Sequence, residues 1–231
     1  MKLIVFRSLP KENVFAPGWE FPIGEEFITK INFKTLAKFI LKKEKSLLTS
    51  ATWDKKVGSY FEKSTTDGYT GLGKNSLTAH YGSYNLLDFK HPEIKKLKKA
   101  ILMCHEKFLK ALNIPLYPNL YIQCWANVMR KGEQIKPHLH GVHPHSYLGG
   151  QINVQVKDTA TSYINPVNQI NEPEVYRSKN EVGKCTIFQS CVPHYTDVHL
   201  SDTPRITIAF DLLVNGKADV LSAHKNFRKI I

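Results

Sequence analysis

Along Arg205–Val214, Ile206, Ile208, Phe210 and Leu212 alternate with Arg205, Thr207, Ala209 and Asp211. A side-chain period of two belongs to an extended strand with two unlike faces. The same reading fits Tyr121–Met129, Gln151–Val156, Ser162–Ile164 and Lys184–Phe188, with Gly, Pro and Asn turns between them. Short strands in this arrangement predict an all-β sandwich or barrel. Before residue 118 the period is helical. Asn32 is a candidate N-cap for a helix to Leu48, with Phe33, Leu36, Ile40, Leu41 and Leu47 on its apolar side. Pro92 suits the first turn of a second helix, whose stripe is Ile94, Leu97, Ile101, Cys104, Phe108 and Leu112 and whose end is marked by Asn113 and Pro115. Residues 3–7 read as a short strand and 50–90 as strand and loop. Residues 165–182 read as one long loop, of a length often used as a lid.

The chain has 231 residues, 42% of them hydrophobic, which suits one domain with a sizeable core. No apolar run approaches the roughly 18 residues a membrane helix needs, and Met1–Arg7 lacks the apolar region of a signal peptide. Four cysteines without a CxxC pair favour reduced thiols, and so a cytoplasmic protein. The net charge of +12 collects in runs at 42–45, 95–99 and 225–229, which read first as solvated helix faces and a basic tail. A nucleic-acid partner stays open, but no RRM, KH, zinc-finger or helix-turn-helix signature supports it.

Chemistry concentrates in two places. Among ten histidines, His138, His140, His143 and His145 fall within eight positions, and His138 and His140 form an HxH pair after Pro137. Residues at i and i+2 on an extended segment share a face, so one ion can be gripped by both. His194, from a distant strand, completes a candidate metal set of His138, His140 and His194, leaving positions open for substrate and oxygen. Arg205 and Thr207 follow on the polar face of their strand. There an inward guanidinium needs an anionic partner, and its fork suits a carboxylate. Asn127 is a candidate for a further polar contact to the same ligand, or equally a strand-end residue. His143 and His145 read as loop residues near the mouth. His80, His91, His105, His199 and His224 read as surface or satisfied core. Three neutral metal ligands plus a carboxylate clamp suit an oxygenase that uses iron(II), molecular oxygen and 2-oxoglutarate.

The chain also resembles the 2-oxoglutarate/iron(II)-dependent oxygenase family of bacterial and phage type. The resembling segments are Thr70–Thr78, Tyr84–Leu87, Trp125–Val128, Pro137–His140, Gly183–Phe188 and His194–Asp211. The resemblance implies a double-stranded β-helix (jelly roll) core, expected here with two main helices packed outside. It also implies iron at His138 and His194, and 2-oxoglutarate at Arg205. The expected organisation is a mixed support region over 1–117, the jelly-roll catalytic core over 118–216 and a basic tail over 217–231. The expected activity is hydroxylation of an unidentified small-molecule or peptide substrate. One departure stands out: most oxygenases of this superfamily carry a carboxylate two residues after the first histidine, and here that position is His140. Gln151 and Asn153 make the strand after the pair more polar than the resemblance implies.

Two other readings compete. A cupin-type metal enzyme or binder fits the spacing of Gly132 to His138-x-His140 and of Gly183 to His194. It lacks the glutamate expected after the histidine pair and gives Arg205 and Thr207 no task. A non-enzymatic basic interaction protein with a decayed site would purify without metal.

Overall fold

The computed structural model describes residues 1–50, 71–73, 75–142, 145–167, 173–214 and 226–231. Two helices and ten strands are named here in chain order: β1 Lys2–Arg7, β2 Glu20–Phe27, α1 Phe33–Ser50, α2 Pro92–Ala111, β3 Leu120–Met129, β4 Ser146–Gln155, β5 Ala160–Ile164, β6 Val175–Lys179, β7 Lys184–Gln189, β8 His194–Thr196, β9 Arg205–Val214 and β10 Arg228–Lys229.

The seven-stranded sheet runs β1-β2-β7-β4-β9-β3-β10, and a three-stranded sheet runs β6-β5-β8. Every pairing is antiparallel. The non-sequential order β7-β4-β9-β3 and the smaller second sheet are those of a double-stranded β-helix. One face of the larger sheet meets the helices. Ile94, Leu97, Ile101, Cys104 and Phe108 of α2 share a buried core with Ile122, Cys124, Ile152, Ile187, Ile206, Ile208 and Phe210. A second buried cluster spans the two sheets, with Phe6, Ile23 and Phe188 on one side and Tyr163 on the other. The alternation on β9 thus sends Ile206, Ile208 and Phe210 to the helices and leaves Arg205, Thr207 and Asp211 for the space between the sheets.

Local chemistry accounts for the helix starts. Asn32 Oδ1 accepts from Thr35 N at 3.1 Å, and α1 begins at Phe33. His91 Nδ1 accepts from Glu93 N at 3.2 Å, and Pro92 occupies the first turn of α2. Gly150 faces the helices where a Cβ would lie 2.2 Å from Phe210 Cζ, so no larger residue fits there without displacing that ring.

The structure departs from the sequence reading at several elements. Residues 165–182 are not one loop: β6 pairs with β5, Val175 opposite Ile164, while 168–172 lie outside the described residues. Only Ser178 of β6 is buried, so the strand has no apolar alternation to betray it. β2 was hidden by Pro22, Gly24, Glu25 and Glu26, residue types that strands disfavour. Gly24 is there because a Cβ would sit 2.5 Å from Phe108 Cδ2. In the expected basic tail, Arg228 and Lys229 pair with Ile122 and Tyr121 of β3. Of the 50–90 region, 51–70 and residue 74 lie outside the described residues, as do His143 and His224; 71–90 holds turns and two short 3-10 helices, Tyr81–Ser83 and Leu86–Asp88. All four cysteines are free thiols, and no helix among the described residues is long and apolar enough to cross a membrane.

Three of the remaining histidines have structural duties. His91 caps α2, and buried His199 has Nε2 2.7 Å from Thr203 O. His105 is fully buried, with Nε2 2.9 Å from the Tyr147 hydroxyl, and burial pushes its pKa down from 6.5 to about 4. A depressed histidine stays neutral when folded while the unfolded chain takes up a proton. Its contribution is intact above about 6.5 and is lost as pH falls toward 4, on the order of 3 kcal/mol at the acid end. The melting temperature should therefore drop between pH 7 and pH 5. His105→Gln should flatten that limb in thermal scans; an unchanged slope would remove His105 from the explanation.

Candidate active site

The site is built on three backbone segments. His138 and His194 form an isolated antiparallel bridge, His138 N donating to His194 O at 3.1 Å and His194 N to His138 O at 2.9 Å. His140 N donates to Ser190 O at 2.9 Å. The HxH pair therefore lies on an extended segment outside the named strands, not on a regular strand as the spacing suggested, yet the two side chains still share a face.

One ligand atom from each of His138, His140 and His194 lies within 4.8 Å of the others. The Nδ1 atoms are all engaged. His138 Nδ1 is 2.8 Å from Lys136 O, His194 Nδ1 is 3.1 Å from Val192 O, and His140 Nδ1 meets the Asp211 carboxylate. An imidazole whose Nδ1–H is donated in this way presents Nε2 as its free lone pair, the arrangement typical of metal-bound histidine. Burial pushes the His138 pKa down to about 4, helped by its neighbour His140, and burial likewise lowers that of His194. Both are neutral at pH 7, as a ligand must be. The cluster sits among rings: Phe188 is 4.6 Å and Tyr163 5.8 Å from His194 between centroids, and Trp125 is 5.8 Å from His140.

Arg205 is the largest fully buried side chain among the described residues, at 1% exposure. Its Nη1 approaches Met129 Sδ at 3.1 Å, while Nε and Nη2 have no partner among the described residues. No carboxylate pairs with it there. Burial lowers its pKa to about 10, against support from nearby Tyr163 and Asp197. Thr207 Oγ1 and Asn153 Oδ1 are also buried without partners, and these two residues are cross-strand neighbours on β9 and β4. Asn127 pairs with Thr207 from the other side, on β3, and its Oδ1 accepts from Thr78 Oγ1 at 2.7 Å. Arg205, Thr207 and Asp211 share one face of β9 by alternation, and Asp211 reaches His140, so that face is the one turned to the histidine cluster. A buried guanidinium with two vacant donors, beside a vacant hydroxyl, is a fit for one end of a small dicarboxylate. Three convergent imidazoles are a fit for a divalent iron ion.

Asp211 and Thr78 are not among the expected site residues, and Asn153 is expected only as a polar residue of a substrate pocket. The alternation along β9 marks Asp211 as inward-facing; nothing in the sequence ties Asp211 to His140 or Thr78 to Asn127.

The paired sheets have the arrangement of a double-stranded β-helix, and the three histidines between them form a set able to hold a metal ion. Residues 123–211 match the family described as "Putative 2OG-Fe(II) oxygenase", a stretch that runs from Gln123 to Asp211 and includes both histidine motifs and Arg205. Over that stretch, less than half of the chain, the sequence is similar to the 2OG-Fe(II) oxygenases. A Pseudomonas putida prolyl-4-hydroxylase shares its fold with a TM-score of 0.54 at 10% identity, over 84% of this chain and 93% of that one. A 2OG-Fe(II) oxygenase family oxidoreductase from Burkholderia pseudomallei is more loosely similar, with a TM-score of 0.43 at 14% identity over 57% of this chain and 63% of that one. A viral collagen prolyl hydroxylase from Paramecium Bursaria Chlorella virus-1, solved as a 2OG complex, gives 0.40 at 11% identity over 55% and 76%. No curated protein matches the sequence.

Proposed function

We propose that His138, His140 and His194 hold the iron(II) through Nε2, and that Arg205 and Thr207 hold the far carboxylate of 2-oxoglutarate. Asn127 and Asn153 flank Thr207 as further polar contacts. The observation that carries this reading is the buried, unpaired guanidinium of Arg205 on the strand face that Asp211 turns toward the histidine cluster. A charge left so is costly unless an anion joins it, and a cupin-type site that ignores 2-oxoglutarate leaves it without a partner.

When bound, iron(II) and 2-oxoglutarate supply the oxidising chemistry, in which oxygen is consumed, 2-oxoglutarate becomes succinate and CO2, and a substrate C–H bond becomes C–OH. The chain's own task is placement. The histidines set where the reaction occurs, Arg205 fixes the far end of the cosubstrate, and Phe188, Tyr163 and Trp125 exclude water around the cluster. The substrate is a small molecule or a peptide side chain, admitted on the open side of the histidine cluster. Residues 118–216 form the catalytic core and 1–117 support it, contributing β1 and β2 to the edge of the larger sheet.

Succinate release, measured with iron(II) and 2-oxoglutarate over a panel of amino acids, peptides and oligonucleotides, tests this directly. Succinate should form only with both additions and rise with one substrate class. Absence of succinate from iron-loaded protein across the panel, together with no binding of 2-oxoglutarate, would overturn the proposal.

A further inference from the structure

We infer that Asp211 is a positioning residue for the metal centre, holding His140 in place and supplying, one layer behind the ligands, the negative charge that an all-histidine set lacks. The inference rests on the three-histidine reading above and adds to it a residue that reading leaves idle.

Three observations converge. The Asp211 carboxylate accepts a hydrogen bond from His140 Nδ1, with the His140 side chain 6% and the Asp211 side chain 21% exposed. Of the three Nδ1 contacts this is the one made to a charge; Lys136 O and Val192 O serve the others. Second, the residue opposite Asp211 on β4 is Gly149. A Cβ there would lie 2.7 Å from His140 Nδ1 and 3.2 Å from Phe188 Cε2. Any side chain at 149 would crowd the ring away from the carboxylate, so the glycine is the space through which His140 reaches Asp211. Third, the ring is flanked by Trp125 at 5.8 Å and Phe188 at 5.7 Å, so its orientation is fenced and Nε2 faces the shared point. A carboxylate accepting from Nδ1–H fixes the tautomer and makes Nε2 a stronger donor. The charge usually carried by a directly coordinated carboxylate is thus moved outward, and all three direct ligands remain nitrogen.

Co(II) serves as the probe, titrated into metal-free protein and followed by its visible absorption. Asp211→Asn keeps an acceptor oxygen and removes the charge. Co(II) affinity should fall about 10–100-fold, with an altered absorption band, while the melting temperature of the metal-free protein stays near that of wild type. Gly149→Ala reaches the same ring by crowding and should weaken Co(II) binding in the same direction without any change of charge. Affinity and spectrum within twofold of wild type in Asp211→Asn would overturn the role of Asp211, whatever the standing of the three histidines. A wild-type protein that binds no Co(II) would overturn the three-histidine reading itself, and this inference with it.

Discussion

His194→Ala is expected to give a folded protein that neither retains iron(II) nor forms succinate. Losing the partner behind a ligand costs roughly 10–100-fold in affinity, and removing the ligand itself should cost more. His194 is the buried member of the cluster, and its ring neighbours both other histidines, at 4.3 Å from His138 and 4.9 Å from His140. The backbone bridge to His138 uses main-chain atoms only, so the local fold does not depend on the imidazole. The lost ring leaves a small cavity against Tyr163 and Phe188, with a cost on the order of 2 kcal/mol. Metal content by elemental analysis beside a circular dichroism melt separates loss of site from loss of fold. Wild-type iron content in a folded His194→Ala protein would remove His194 from the metal set.

Arg205→Met is expected to abolish 2-oxoglutarate binding and at the same time to raise the stability of the protein without ligands. Replacing a buried unmatched charge by an apolar chain of similar length is often neutral or stabilising by about 1–4 kcal/mol. Met129 Sδ already sits against the guanidinium, so a thioether suits the space. Wild-type protein should gain melting temperature with 2-oxoglutarate by mass action, and the variant should gain none. Arg205→Lys keeps charge but loses the fork, so it should weaken 2-oxoglutarate binding while leaving iron affinity nearly unchanged. Equal 2-oxoglutarate affinity in wild type, Arg205→Lys and Arg205→Met would remove Arg205 from the cosubstrate site. Such a trade of stability for binding is common where a fold carries a reactive site.

How much of this was readable in the chain depends on what each residue answers to. β9 was bounded correctly, because ten residues alternate without interruption between a helix-facing and an inward face. The two helices were readable from their caps and stripes. β2 and β6 were not, because their pairing is fixed by neighbours: Gly24 yields to Phe108 from a helix about eighty positions away, and β6 buries only Ser178. At the site, His138, His140, His194 and Arg205 were visible as residue types in a telling order. The Asp211–His140 contact was not, since it joins residues 71 positions apart through a gap left by Gly149, and the local pattern at each end says nothing of the other. The polar residues Gln151 and Asn153, odd for a strand in this place, fall on the inward face of β4. Gln151 Nε2 donates to Thr161 Oγ1 at 2.8 Å, and Asn153 sits beside Thr207.

The most direct measurement is a crystal structure of the protein with Mn(II) and 2-oxoglutarate, with the metal placed by its anomalous signal. One peak should appear about 2.0–2.2 Å from Nε2 of each of His138, His140 and His194, with dicarboxylate density running from it to the Arg205 guanidinium. A peak bound elsewhere, or bound to His138 and His194 with His140 turned away and no density at Arg205, would contradict the assignment.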